Sequence, residues 1–190
     1  LEASLVDIAD SVAYNSHDID DGLSSGILNW DNLEAVSIWT KARIESEKAF
    51  RDLDRKLRRH SVVRILVDQQ VTDLIRQTSR NIQTNNIATL EDVRRSGGRL
   101  VSFSEEMREK LDILKQFLRE RMYRHPKLLA SSNQAKVVIQ TLFKRYKYDP
   151  QKLHGKFKLR LDKEPVEIII ADFIAGMTDR YALRMYEQYK

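Results

Sequence analysis

Apolar positions recur at intervals of three and four along almost the whole chain, so the pattern predicts helices and little else. The first runs from about Ala3 to Asp21 with Leu5, Ile8, Val12 and Ile19 on one face, and ends before Gly22, where Ser24, Ser25 and Gly26 mark a loop. A second begins near Asp31 or Asn32, either a suitable N-cap, and continues with an interruption towards Leu57. From about Arg59 to Ile82, the positions of Val62, Ile65, Leu66, Gln69, Thr72 and Ile75 predict a long amphipathic helix that Asn85 and Asn86 close.

Residues 84 to 104 read as irregular, with Gly97 and Gly98 in the middle and a short turn after Thr89. Ser104 caps a helix from Glu105 to Tyr123 whose stripe is Met107, Leu111, Leu114, Leu118 and Met122. Pro126 stops it, because the residue before a proline avoids the helical region. Another amphipathic helix spans Asn133 to Tyr146. Asp149 and Pro150 open a basic loop in which Phe157 to Leu161 suits a short strand, giving one small β-hairpin between about residues 152 and 163. The last helix starts near Pro165 and carries the apolar run Ile168 to Ile170. The expected fold class is all-α, a multi-helix bundle, with no internal repeat.

A chain of 190 residues with 42% hydrophobic content can bury a real core and suits one domain or a large piece of one. No apolar run reaches about eighteen residues and no charged-then-apolar leader opens the chain, so neither a membrane span nor a signal peptide is expected. The absence of cysteine excludes disulfides and thiolate metal sites and fits a cytoplasmic location. A glycine-rich phosphate loop is excluded because Gly97-Gly98 lacks a following lysine and helix at the required spacing. The four histidines, at 17, 60, 125 and 154, are too scattered for a histidine cluster, and no serine or cysteine triad is suggested.

Charge changes the picture. The net charge of +5 conceals an N-terminal stretch, residues 1 to 40, with eight acidic and no basic residues, against 33 basic and 20 acidic beyond it. On the first helix Asp7, Asp10, Tyr14, His17, Asp18 and Asp21 recur at helical spacing on the side away from the apolar face. Aspartate is a poor helix former. One reading of the stripe is a solvated acidic face; the other is a site for a cation or polar ligand, with Asp10 the best-placed ligand.

The segment Asp10-Ser11-Val12-Ala13-Tyr14-Asn15-Ser16-His17-Asp18, preceded by Asp7-Ile8-Ala9 and followed by Ile19-Asp20-Asp21-Gly22-Leu23, resembles the late metal-binding helix of the deoxynucleoside triphosphate triphosphohydrolases. These are dGTPase-like members of the HD-domain phosphohydrolase superfamily. The similarity continues through Val71 to Ile75, Phe103 to Met107, Met122 to Pro126 and Ala175 to Ala182, in that order, over nearly the whole chain.

The resemblance implies an HD-type helical fold and a metal-dependent hydrolase that releases triphosphate from a deoxynucleoside triphosphate. The family holds its divalent ion, Mg²⁺ or Mn²⁺, with a first histidine, a His-Asp doublet and a later aspartate, which Asp10 matches. Tyr14 matches a tyrosine packed on the deoxyribose, and Asp18 a carboxylate that bonds the sugar 3′-hydroxyl. His17-Asp18 is not the doublet, which stands upstream in the family. Neither that doublet nor the first histidine occurs in this sequence, so the chain is expected to be a C-terminal portion, inactive alone, whose partner is the N-terminal part. Residues 1–23 then contribute the last metal-ligand helix and 24–190 a helical C-terminal region.

Candidate phosphate contacts are Arg51, Arg55, Arg58, Arg59 and Arg64, with Lys56, because guanidinium groups bind phosphate oxygens in bidentate fashion. A solvated basic helix face is the competing reading. On the terminal helix, Asp172, Gly176, Asp179 and Arg180 share one face; packing explains them, while Asp179 and Arg180 are also candidates for a nucleotide pocket. An HD-superfamily hydrolase of another nucleotide is one alternative, and a non-catalytic helical module for nucleic acid or a protein partner is another. A homo-oligomer is expected, and single-stranded nucleic acid is a further candidate partner of the basic surface.

Overall fold

A computed structural model of the chain describes residues 2–97 and 100–189, and every regular element among them is helical. Gly98, part of the expected irregular stretch, lies outside the described residues. The expected β-hairpin is absent: two 3₁₀ segments, Pro150–Lys152 and Gly155–Arg160, occupy that stretch. Leu153 between them is 1% exposed, so burial of single apolar residues, rather than strand pairing, fixes the loop.

The chain forms two compact units, one ending at His125 and one beginning at Pro126. The first contains α1 (Glu2–Ser24), α2 (Trp30–Leu33), α3 (Ser37–Ala49), α4 (Arg55–Thr84), α5 (Leu90–Arg95), α6 (Glu105–Leu118) and a π-helical turn, Arg119–Tyr123. Helix α4 is its axis: α1 and α3 both pack on α4, and both also touch α6. The buried face of α4 is Val62, Leu66, Gln70 and Leu74, four residues spaced by one turn. Ile75, expected inside, is largely exposed.

Local chemistry sets the boundaries. The side chain of Asn29, not Asp31 or Asn32, caps α2 by accepting from the Asn32 N–H at 2.8 Å. The predicted helix to Leu57 ends at Ala49, and Asp54 caps α4 through the Leu57 N–H at 2.8 Å, so Arg55 to Leu57 belong to α4. Thr89 and Asp92 form a reciprocal capping box that turns the expected short turn into helix α5. Ser104 caps α6 as expected. Asn85 closes α4, and Asn86 takes φ 52°, a left-handed conformation that asparagine tolerates.

Helix α1 passes through Gly22 instead of stopping there. The glycine is needed for close approach: a Cβ on Gly22 would lie 2.5 Å from Cδ1 of Leu28, a residue 2% exposed whose N–H donates to the Gly22 carbonyl at 2.8 Å. Gly22→Ala is therefore expected to destabilise the first unit by up to about 2 kcal/mol, from about 1–3 of overpacking less about 1 gained in helix propensity. Thermal unfolding checks this; an unchanged or raised melting temperature would contradict the close packing.

The second unit contains α7 (Pro126–Tyr148), the two 3₁₀ segments, α8 (Val166–Ala175) and α9 (Asp179–Tyr189). Pro126 both ends the previous helical stretch and opens α7, since its fixed φ suits a first helical position. The core is Val138, Leu142, Tyr146, Leu153, Ile169, Ile170 and Phe173, with Tyr146 and Phe173 edge to face at 5.1 Å. Arg160 clamps Glu164 and Asp172 at 2.6 and 2.7 Å, tying the second 3₁₀ segment to α8.

Candidate active-site wall on the first helix

Helix α1 sorts its residues by face. Val12, Asn15, Ser16, Ile19 and Gly22 are buried, whereas Asp10 and Tyr14 are exposed, Tyr14 by 68%. Asp10, Tyr14 and Asp18 sit one turn apart and span about 12 Å along the helix axis. His17 is turned about 100° from Asp18 and lines an apolar groove with Leu5, Val12, Val71, Leu74 and Ile75. The helix thus sends the two members of the His17-Asp18 pair in different directions.

Two carboxylates of α1 have acquired partners. Asp18 Oδ2 accepts a hydrogen bond from the hydroxyl of Tyr123, 105 residues away at the end of the π turn. Partial burial first, and then the bond to Asp18, push the Tyr123 hydroxyl up to about 12, so it remains a donor at neutral pH. Asp20 accepts from Arg59 Nε at 2.7 Å, with His60 Nδ1 3.8 Å away. Arg59, a candidate phosphate ligand, is thereby occupied in joining α4 to α1.

The other basic candidates do not converge. Arg51 is exposed in the segment between α3 and α4. Arg55 and Arg58 line a cleft of about 570 Å³ whose rim also carries Asp31, Glu34 and Glu47, a mixed lining that weakens any purely anionic ligand's hold. Arg64 lies on another side of α4, in a cleft of about 580 Å³ with Phe50, Leu57 and His60. Positions 55 and 64 are about 180° apart around a helix.

Asp179 and Arg180 are exposed in the first turn of α9. Gly176 caps α8, so these two residues do not share a helix face with Asp172 and Gly176 as the unbroken helix implied. A Cβ at Gly176 would meet only the Asp172 and Phe173 carbonyls, at 3.4 and 3.6 Å, so close approach is not its purpose. In the same unit His154 Nε2 lies 3.0 Å from the Tyr181 hydroxyl, and its ring meets Phe173 edge to face at 4.9 Å.

A divalent ion suits a carboxylate oxygen such as those of Asp10, but one carboxylate is not a site. Among the described residues no three of His, Cys, Asp and Glu gather closely enough to hold a metal. Of the residues expected at a metal site, Asp10 presents one exposed carboxylate.

Residues 101–188 match the family described as a phosphohydrolase-associated domain. Over 100% of its length the chain is 37% identical to a deoxyguanosinetriphosphate triphosphohydrolase-like protein of Geobacter sulfurreducens, covering 50% of that protein. It is 38% identical to one of Ralstonia nicotianae, over 99% of the chain and 48% of the relative, and 32% identical to one of Rickettsia prowazekii, over 98% and 50%. The chain belongs to the deoxyguanosinetriphosphate triphosphohydrolase-like family. It spans about half the length of the curated relatives it matches, their C-terminal part.

Membership gives sense to how the separated motifs meet. Asp73, from Val71 to Ile75, accepts from the Ser104 N–H at 2.9 Å and the Ser104 hydroxyl at 2.7 Å, so one motif fixes the cap of the next. Tyr123, from Met122 to Pro126, reaches back to the Asp10 to Asp18 segment. Tyr123, bonded to Asp18, and Asp20, bonded to Arg59, are contacts of α1 that periodicity alone did not single out. An aromatic just after an apolar stripe was the only local signal for Tyr123, and nothing local named its partner.

Proposed function

We propose that this chain is the C-terminal half of a metal-dependent enzyme that hydrolyses deoxynucleoside triphosphates, dGTP foremost, to deoxynucleoside and triphosphate. The observation that carries the reading is 37% identity along the full chain to a protein named deoxyguanosinetriphosphate triphosphohydrolase-like. In this reading Asp10 donates one carboxylate to a divalent ion, Mg²⁺ or Mn²⁺, whose remaining ligands come from the N-terminal half. When bound, such an ion supplies charge stabilisation and lowers the pKa of a coordinated water. Tyr14 lies one turn on and packs on the sugar, where its bulk rejects a 2′-hydroxyl. Asp18, two turns on, accepts from the 3′-hydroxyl.

The N-terminal half packs along the apolar groove of about 760 Å³ formed by α1 and α4, where Leu5 is 47% exposed and Ile75 61%. Exposed apolar surface of that continuity is unusual for a finished monomer surface and marks an interaction site. Among the described residues no helix is long and apolar enough to cross a membrane. The assembled enzyme works in the cytoplasm as a homo-oligomer.

Triphosphate release decides the matter. With Mn²⁺ or Mg²⁺, the full-length protein is expected to convert dGTP to deoxyguanosine and tripolyphosphate, and to prefer dGTP over GTP by about a hundredfold, the order a pocket reaches against an added hydroxyl. The chain alone is expected to release nothing until the N-terminal half is added. Release of monophosphate, or equal rates on GTP and dGTP, would sink the proposal.

A further inference from the structure

The geometry points to Tyr123 as a positioning residue for Asp18, one that sets how strongly the site discriminates for a 3′-hydroxyl; this rests on the reading of Asp18 as the sugar-binding carboxylate. Three observations carry it. The Tyr123 hydroxyl donates to Oδ2 of Asp18 alone, leaving Oδ1 and its lone pairs for another donor. A guanidinium in the same place could take both oxygens at once, in the bidentate fashion that Arg–carboxylate pairs favour.

The second observation is the π turn. Arg119–Tyr123 follows α6 with one residue too many for an α-helix, which swings the residues after it by about 100° around the axis. Met122 stays buried while Tyr123 is delivered to α1, so the distortion has a consequence for this one side chain. Turns of this kind are frequent at functional sites. Third, α1 carries no lysine or arginine, and Asp21 stands one turn beyond Asp18. A neutral donor orders Asp18 without cancelling the negative charge that a sugar hydroxyl would be drawn to.

The test compares dGTP with 2′,3′-dideoxy-GTP in the full-length protein, reading the ratio of their kcat/KM values. Asp18→Asn and Tyr123→Phe are each expected to lower that ratio about tenfold, the size of a lost hydrogen bond to a charged group. The double variant is expected to be no worse than Asp18→Asn, because the hydroxyl acts through the carboxylate. Tyr123→His, which keeps a ring N–H donor, is expected to recover most of the ratio.

If Asp18→Asn lowers the ratio and Tyr123→Phe does not, the positioning role is overturned while the sugar-binding reading stands. If Asp18→Asn leaves the ratio unchanged, that reading fails and takes the inference with it. Equal losses in Tyr123→Phe and Tyr123→His would assign the effect to ring packing and also overturn it. Tyr123 is 46% exposed, so its replacement leaves the core intact, and the melting temperature of each variant checks this.

Discussion

In the full-length protein, Asp10→Ala is expected to lower dNTP hydrolysis by about three orders of magnitude or more while leaving the melting temperature within a degree or two. The activity loss follows from the proposed role. Removing one carboxylate from a hard cation takes away a negatively charged oxygen ligand, and a thousandfold corresponds to about 4 kcal/mol of transition-state stabilisation. The silence in stability follows from the surroundings. Asp10 is exposed, forms no ion pair among the described residues, and stands on a helix face shared with other aspartates, so its loss relieves a little repulsion. Equilibrium dialysis with Mn²⁺ gives an independent reading, with binding expected to weaken in Asp10→Ala. Full activity in the variant would remove Asp10 from the metal site altogether.

The second large effect concerns the core. Trp39 on α3 is fully buried, packed edge to face on Trp30 with ring centroids 5.1 Å apart. Trp39→Ala is expected to cost about 3–5 kcal/mol, lost transfer energy plus the cavity left behind. Its melting transition should then fall by roughly 10 °C or more. Trp39→Phe is expected to cost much less, about 1–2 kcal/mol, for a further reason. The indole N–H makes no hydrogen bond among the described residues, so replacing it leaves no partner stranded. Similar losses for the two variants would mean that the ring's volume is not what stabilises the unit. Circular dichroism melts are preferable to fluorescence here, since Trp30 and Trp39 are the two tryptophans in the chain and the substitution removes one.

How much of this the sequence discloses depends on the range of the interaction involved. Caps and stripes are local, so Ser104 and the stripe Leu111, Leu114, Leu118 are legible, whereas the short turn expected after Thr89 is the helix α5. Breaks inside an apolar pattern were less so. Periodicity runs through Gly176 without a signal strong enough to separate α8 from α9, and so it puts Asp179 and Arg180 on one helix with Asp172, whereas they open α9. The basic loop after Pro150 has the apolar residues a strand would need, but Leu153 finds burial in a helical turn instead.

The candidate site divides in the same way. Asp10, Tyr14 and Asp18 lie within nine residues of one helix, and spacing alone places them on one face. Their neighbours come from far away: Arg59 reaches Asp20 across 39 residues and Tyr123 reaches Asp18 across 105. A cluster of arginines in sequence was a poor guide to a cluster in space, because consecutive positions on α4 point around its full circumference.

The match to a phosphohydrolase-associated domain begins at Val101, whereas the compact units divide after His125. The family match and the compact unit therefore have different borders. A fragment cut at the border of the family match would leave Asp73 without Ser104, Asn81 without the Ser102 hydroxyl it reaches at 2.9 Å, and Asp18 without Tyr123. A cut after His125 keeps all three pairs in one piece. Side chains from both sides of residue 101 thus join α1 and α4 to the segments after it, and exchanging that stretch between relatives at residue 101 would replace one partner in each of the three pairs.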